Sequence, residues 1–300
     1  MMSFEGTDLR DLEERGWVVI DGFFDARKAE EYRDEIRGLV AAGLMLPNKT
    51  QFGLPNGEVI VSRKPNIYEA DLHDADLRAR TPELGKLFDS DDLVDGLNSA
   101  MPDLHLTRGT GGKTIKLQHN TGNGGCFPLH YDNPGKPNKR KLTCLLYLNP
   151  NWSAGDGGEL QLVPFLSEPV TIEPTMNRLV IFKSESVLHR VLPSRAERFC
   201  FTIWIDSAPS EVNRAEHAAL RVKTGQSIRE IADYMGTCPV QRIVSRALYR
   251  EEYERSLREC MEWEPKSLAT MLALHRAHLA AVEKHKALKD LVDNLRTLKT

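Results

Sequence analysis

Between Lys113 and Asp206 the chain is a succession of short apolar or alternating segments, each stopped by Gly, Pro or Asn. Lys113–His119 alternates, Leu142–Leu148 is an apolar run, and Glu159–Val163 alternates again. Asn177–Phe182 and Phe199–Ile205 complete the set. Asp156-Gly157-Gly158 marks a turn between two of them. Side chains that alternate with period two belong to strands, and segments this short at this density predict a sandwich or barrel of jelly-roll type. The expected fold class is therefore mainly β with α.

Helical patterns flank this region. The opening segment reads as a small helix, a strand and a helix: Gly16-Trp17-Val18-Val19-Ile20 is a buried-strand run and Asp25 an N-cap. Ala29, Tyr32, Ile36, Leu39 and Val40 then recur at helical spacing, with Gly43 as the stop. Residues 45–66, rich in Pro, Gly and Asn, read as a mobile loop, with a hairpin as the alternative, and hold a short strand at Glu58–Val61. Helices are expected at Thr81-Pro82-Glu83 and after Ser90-Asp91-Asp92. Beyond Asp206 the strands stop. Residues 226–263 look helical, with Ser227 as first cap. From Pro265, an apolar stripe runs from Leu268 through Leu279, Leu288 and Leu295 to Leu298. That stripe suits packing onto the barrel's helical side or a helix-mediated dimer. His275, His278 and His285 read as solvent-facing or boundary residues and not as ligands. The expected division is a catalytic domain over 1–208 and a helical C-terminal extension over 209–300.

Composition removes some classes of function. A chain of 300 residues with 41% hydrophobic and 28% charged residues is an ordinary globular one. Its net charge of -3 gives no basic footprint, so no nucleic-acid partner is expected. No apolar run approaches the length that spans a bilayer, so no membrane partner is expected. Glu5, Asp8, Arg10, Asp11 and Glu13 make the N-terminus unlike a secretory signal. The five cysteines are scattered, odd in number and without a CxxC pair, which suits reduced thiols in the cytoplasm or nucleus.

The chemistry lies in His130-Tyr131-Asp132, His189 and Arg198. Two imidazoles and one carboxylate are the donor set of a non-haem Fe(II) site that leaves positions open for oxygen. In an extended strand, His130 and Asp132 share one face and Tyr131 points away. Alone this spacing is weak; His189 on a later strand and Arg198 at the head of another raise its meaning. The distal carboxylate of 2-oxoglutarate, buried in a barrel, needs a fixed, always-charged, forked donor, and Arg198 is one. Tyr147, on the strand after the His130–Asp132 loop, is placed to assist.

These residues sit in a wider pattern. His130-Tyr-Asp-Asn-Pro-Gly135, Leu142-Thr-Cys-Leu-Leu-Tyr-Leu-Asn-Pro150 and Gly157-Gly-Glu-Leu160 are part of it. So are Asn177-Arg-Leu-Val-Ile-Phe182, His189 and Arg198-Phe-Cys-Phe-Thr-Ile-Trp204, as well as Arg15-Gly-Trp-Val-Val-Ile-Asp-Gly-Phe-Phe24. Together, across roughly residues 10–206, the chain closely resembles the oxygen-sensing prolyl hydroxylases that act on the hypoxia-inducible transcription factor. The resemblance implies a cupin-like double-stranded β-helix flanked by N-terminal helices. It implies Fe(II) on His130, Asp132 and His189, with 2-oxoglutarate and O2 as co-substrates and ascorbate as an accessory cofactor. It also implies Arg198 and Tyr147 on the distal carboxylate, with Thr202 and Trp204 lining the pocket.

The expected reaction is hydroxylation of a prolyl residue in an intracellular protein or peptide, with release of succinate and CO2. One alternative is a hydroxylase of another residue or of a small molecule on the same scaffold. Another is a binding module that has lost catalysis, against which the intact set argues. A monomer or a helix-mediated dimer is expected.

Overall fold

A strand buried on both sides must carry two apolar faces, because its side chains alternate. The central strands of this chain do so, and that sets the layering of the fold. The computed structural model describes residue 4 and residues 9–53, 59–135, 137–208 and 225–299.

The chain opens with α1 (Arg10–Glu14), β1 (Trp17–Asp21) and α2 (Ala26–Ala41), as expected. The Asp25 side chain accepts from Arg27 N and caps α2. Gly43, at φ +67°, ends it as expected, with Leu44 N returning to Leu39 O. Next come β2 (Leu46–Gly53), β3 (Val59–Asp71), α3 (Ala75–Arg80), α4 (Pro82–Asp89) and α5 (Asp92–Ala100). Of the two readings of 45–66, the structure takes the hairpin and not the loop: β2 and β3 pair over a long stretch, with Leu46 opposite Glu69 and Lys49 opposite Arg63. Residues 54–58, including the expected strand start at Glu58, lie outside the described residues. The hairpin closes one edge of a sheet, where Pro47 and an irregularity between Pro47 and Lys49 are tolerated. An edge needs no continuous apolar face, so its alternation is faint in the sequence.

The strands that follow are β4 (Lys113–Asn120), β5 (Phe127–His130), β6 (Arg140–Tyr147), β7 (Leu160–Val163), β8 (Val170–Ile172), β9 (Arg178–Lys183), β10 (Leu188–Val191) and β11 (Arg198–Asp206). They make two antiparallel sheets. One has the order β1-β9-β6-β11-β4-β3-β2 and the other β5-β10-β7-β8. This is the double-stranded β-helix with flanking helices.

The two faces of β11 divide the core. Phe199, Phe201, Ile203 and Ile205 join a cluster with Tyr32, Ile36 and Leu39 of α2, so the N-terminal helices cover the outside of the larger sheet. Cys200 points the other way, into a cluster between the sheets with Tyr147, Leu160, Val180 and Phe182. Arg198, Thr202 and Trp204 share that inner face by their spacing.

Residues 209–224, where the sequence places the start of the C-terminal extension, lie outside the described residues. The helices beyond them are α6 (Ile228–Gly236), α7 (Arg242–Leu248), α8 (Arg250–Met261), α9 (Pro265–Lys284) and α10 (Lys286–Arg296). Ser227 and Glu230 form a capping box at α6. Val282, Val292 and Leu295 of the apolar stripe pack within the chain, against Leu129 and Leu188 of the smaller sheet and Val244 and Tyr253 of the helices. His275 is not at the surface as expected. It is fully buried, with Nε2 beside Arg250 O, whereas His285 is exposed and caps α10.

The expectation of five unpaired thiols is also corrected. Cys126 and Cys260 form a disulfide, their Cα atoms 5.5 Å apart, while Cys144, Cys200 and Cys238 are buried thiols outside any disulfide. The partners are 134 residues apart, a separation at which spacing says nothing about proximity. No helix among the described residues is long and apolar enough to cross a membrane.

The capping box makes a direct prediction. Ser227→Ala should lower stability by about 1 kcal/mol, read as a shift of the urea midpoint, because the Glu230 N–H loses its acceptor. An unchanged midpoint would show that the box contributes nothing.

Candidate metal and co-substrate site

The two histidines meet because β5 and β10 pair antiparallel with His189 directly opposite His130. Their rings lie 4.3 Å apart between centroids. Asp132 is not on the strand, as the sequence reading had it: β5 ends at His130, and the carboxylate is carried by the segment that follows. His130 Nε2 stands 3.4 Å from Asp132 Oδ1, and His189 Nε2 stands 3.8 Å from Asp132 Oδ2. The ligand atoms of the three residues all lie within 4.8 Å of one another, a grouping that could hold one metal ion.

The ring nitrogens turned away from this point are both engaged. His130 Nδ1 lies 2.8 Å from Pro128 O, and His189 Nδ1 lies 3.1 Å from Val187 O. A carbonyl accepts only from N–H, so Nδ1 carries the proton in each ring and Nε2 presents a lone pair inward. Burial, together with the neighbouring His130, lowers His189 to about 4 against the opposing pull of Asp132. The imidazole is thus neutral at pH 7, the state that binds metal. Burial by itself would raise the Asp132 carboxyl. His189, His130 and the Trp204 N–H outweigh it and hold Asp132 well below the usual carboxylate range.

Asp132 is oriented from the larger sheet. Thr143 Oγ1 donates to its Oδ2 at 2.7 Å, and Trp204 Nε1 donates to the same oxygen at 2.9 Å. Thr143 and Trp204 are cross-strand partners on β6 and β11, so one register delivers both donors. Trp204, expected only as a lining residue, therefore also contacts the carboxylate. Thr143 was not singled out in the sequence. Its signal was a hydroxyl at an inward position of an otherwise apolar strand.

The C-terminal helices hold the same segment from behind. Leu129 N donates to Ser256 Oγ, the Tyr131 hydroxyl bonds with Gln241 and Ser245, and Arg242 Nη1 donates to Asn133 O. Residues 129, 131 and 133 are thus tied to the extension, while 130 and 132 are tied into the site. Tyr131 does point away, as the alternation requires.

Arg198 and Tyr147 lie deeper between the sheets. Arg198 is 3% exposed and its guanidinium carbon sits 4.9 Å from the Tyr147 ring centroid. Arg198 Nη1 approaches Cys200 Sγ at 3.3 Å, a weak partner for a cation. Arg198 Nε and the Tyr147 hydroxyl are buried without a hydrogen-bond partner, and no described carboxylate pairs with Arg198. A buried, unpaired guanidinium is costly, and a carboxylate from outside the chain would complete it. Gly158 makes room for it. A Cβ there would meet the Arg198 Cδ at 2.8 Å, and the glycine backbone stands at φ +77°. One pocket joins these groups, lined by His130, Asp132, His189, Arg198, Thr202 and Trp204. Sequence reasoning named all six; Gln118 and Thr143 complete its polar lining.

The profile of the 2OG-Fe(II) oxygenase superfamily matches residues 115–206. The chain is 33% identical over 204 residues to the hypoxia-inducible factor prolyl hydroxylase of Caenorhabditis elegans, a match covering 65% of this chain and 27% of that protein's length. Among solved structures, a prolyl 4-hydroxylase from Phytophthora capsici is 42% identical, with TM-score 0.84, covering 97% of this chain and 90% of its own. A prolyl hydroxylase from Trichoplax adhaerens, solved with a peptide of the hypoxia-inducible factor oxygen degradation domain, is 26% identical with TM-score 0.57. That match covers 72% of this chain and 93% of the Trichoplax one.

The bonds to Asp132 can be tested without turnover. Trp204→Phe combined with Thr143→Val should weaken metal binding by roughly 10–100-fold, because outer partners orient a ligating carboxylate. Titration with Fe(II) in the absence of oxygen reads this; equal affinity in the double variant would mean that these donors do not position Asp132.

Proposed function

The chain belongs to the 2OG-Fe(II) oxygenase superfamily, among its prolyl 4-hydroxylases, and on that footing we propose that it hydroxylates a prolyl residue of a polypeptide. The observation that carries the co-substrate assignment is the buried Arg198, which no described carboxylate pairs, in the pocket that the two histidines and Asp132 also line, with the Tyr147 ring 4.9 Å from its guanidinium carbon. A dicarboxylate with a keto-acid end fits both ends of that pocket.

In this reading His130 Nε2, the Asp132 carboxylate and His189 Nε2 hold Fe(II). Bound there, Fe(II) with 2-oxoglutarate and O2 supplies the oxidising power: one oxygen atom enters a substrate C–H bond and the other enters succinate, with loss of CO2. The chain's own residues bind and orient. Arg198 forks onto the distal carboxylate and the Tyr147 hydroxyl donates to it. Thr202 lines the path between the two ends. Thr143 and Trp204 hold the Asp132 carboxylate in one orientation. Leu145, Leu160, Phe182 and Val191 wall the pocket with apolar surface and limit water near the reacting centre. Ascorbate belongs to this reading as an accessory reductant.

The alternative of a small-molecule substrate keeps every assignment above and differs only at the mouth of the site. The alternative of a binding module has to leave the complete donor set and a buried unpaired arginine without a use, at a cost in stability.

His189→Ala should abolish Fe(II)-dependent succinate formation from 2-oxoglutarate, and full activity in that variant would remove the metal assignment. Arg198→Ala should raise the 2-oxoglutarate KM on the order of a hundredfold, given the several kcal/mol at stake in a buried charge pair. An unchanged KM would place the distal carboxylate elsewhere.

A further inference from the structure

A second cavity of about 250 Å³ adjoins the metal site. Phe127 and His130 line both, so the outer cavity opens beside the histidine end of the inner pocket. Its far wall is not part of the barrel. Arg246 of α7, Tyr253 and Leu257 of α8, Met261 and Met271 come from the C-terminal helices. Its near wall is Phe127–His130 of β5, with Arg63 and Lys64 of β3.

The two walls are held at a set distance. The Cys126–Cys260 disulfide joins the residue before β5 to α8, and Cys260 itself faces the cavity. Leu129 N on Ser256 Oγ adds a second tie, and Arg190 of β10 pairs with Glu259 of α8. The extension is therefore a fixed wall beside the iron ligands.

The lining has one chemical character. Its apolar surface comes from Phe127, Leu257, Met261 and Met271, and methionines suit a site that accepts more than one aliphatic shape. Its charges are all basic. Arg63, Lys64 and Arg246 form no ion pair with a described residue, and no acidic side chain lines the cavity. Lys64 Nζ stands 3.8 Å from the Phe127 ring centroid, and the Arg246 guanidinium carbon stands 5.1 Å from the Tyr253 ring. Both groups rest on aromatic faces, partly stripped of water; burial lowers Lys64 to about 7 against the pull of Glu69 and Asp132, and an incoming carboxylate there would favour its charged form more than at an open surface.

We propose that this cavity is the specificity subsite for the polypeptide substrate: it takes a large aliphatic side chain flanking the target proline, with an Asp or Glu nearby held by Lys64 and Arg246. The inference rests on the reading of the inner pocket as that of a polypeptide hydroxylase. It gives the C-terminal helices a share in choosing the substrate, through a wall built outside the barrel.

The test uses the full chain with Fe(II) and 2-oxoglutarate, without oxygen so that nothing turns over. A pool of synthetic peptides, each with one central proline and randomised flanks, is captured on the immobilised protein and sequenced. The expected result is an enrichment of about fivefold or more for Asp or Glu, together with Leu, Ile or Met, in the flanks. Arg246→Glu should invert the charge preference towards Lys and Arg, and Lys64→Glu on the opposite wall repeats that test should the first variant fail to fold. Met271→Trp should remove the aliphatic preference by filling the cavity. A wild-type pool without flank preference would overturn the proposal, as would preferences that survive all three substitutions. Fe(II)-dependent succinate formation by the wild type in air is read separately. Succinate without flank preference sinks the subsite alone, and the expected preferences without succinate sink the oxygenase reading alone.

Discussion

The antiparallel register of β5 and β10 is the constraint on which the site depends. It sets His130 opposite His189, and it leaves Asp132 just past the end of a strand, free to turn back towards both rings. A shift of one residue would send every inward side chain of β5 or β10 to the other face. The register is protected by what each face must bury. Leu188 and Leu129 pack against the C-terminal helices, and Val191 packs between the sheets. The apolar demand of the outer face therefore holds the polar inner face in place.

The inner face combines two requirements that usually conflict. It must be dry enough to keep His189 neutral and to strengthen each charge contact, yet it must carry a guanidinium and a carboxylate. Asp132 meets this with two donors from the larger sheet and two imidazoles beside it. Arg198 meets it only in part, through the Tyr147 ring and the Cys200 sulfur. The contrast separates the carboxylate, completed by the protein, from the arginine, which the fold leaves to be completed by a ligand. Gly158 belongs to the same economy of space, since any side chain there would meet the arginine stem.

The C-terminal helices take part in this centre. Through Ser256, Gln241, Ser245 and Arg242 they hold alternate residues on either side of Asp132. Their apolar stripe is spent on contacts within the chain, with Val292 and Leu295 buried against α7 and α8. The reading of that stripe as intramolecular packing agrees with the structure. The long uninterrupted pattern from Pro265 nevertheless hides a break at His285, where two helices meet.

The sequence by itself determined the alternating strands from Lys113 to Asp206, the caps at Asp25 and Ser227, and the candidate residues His130, Asp132, His189, Arg198 and Tyr147, whereas Thr202 and Trp204 came from the family resemblance alone. These were legible because period two, capping chemistry and donor type are local properties carried by neighbouring residues. Tertiary structure alone decided between loop and hairpin at β2–β3, the Cys126–Cys260 pair, the burial of His275 and the delivery of Thr143 and Trp204 to one oxygen of Asp132. Each of these depends on partners far apart in the chain, and their proximity follows from sheet order and register. No spacing in a linear sequence encodes that order directly; it emerges when the central strands bury both of their faces at once.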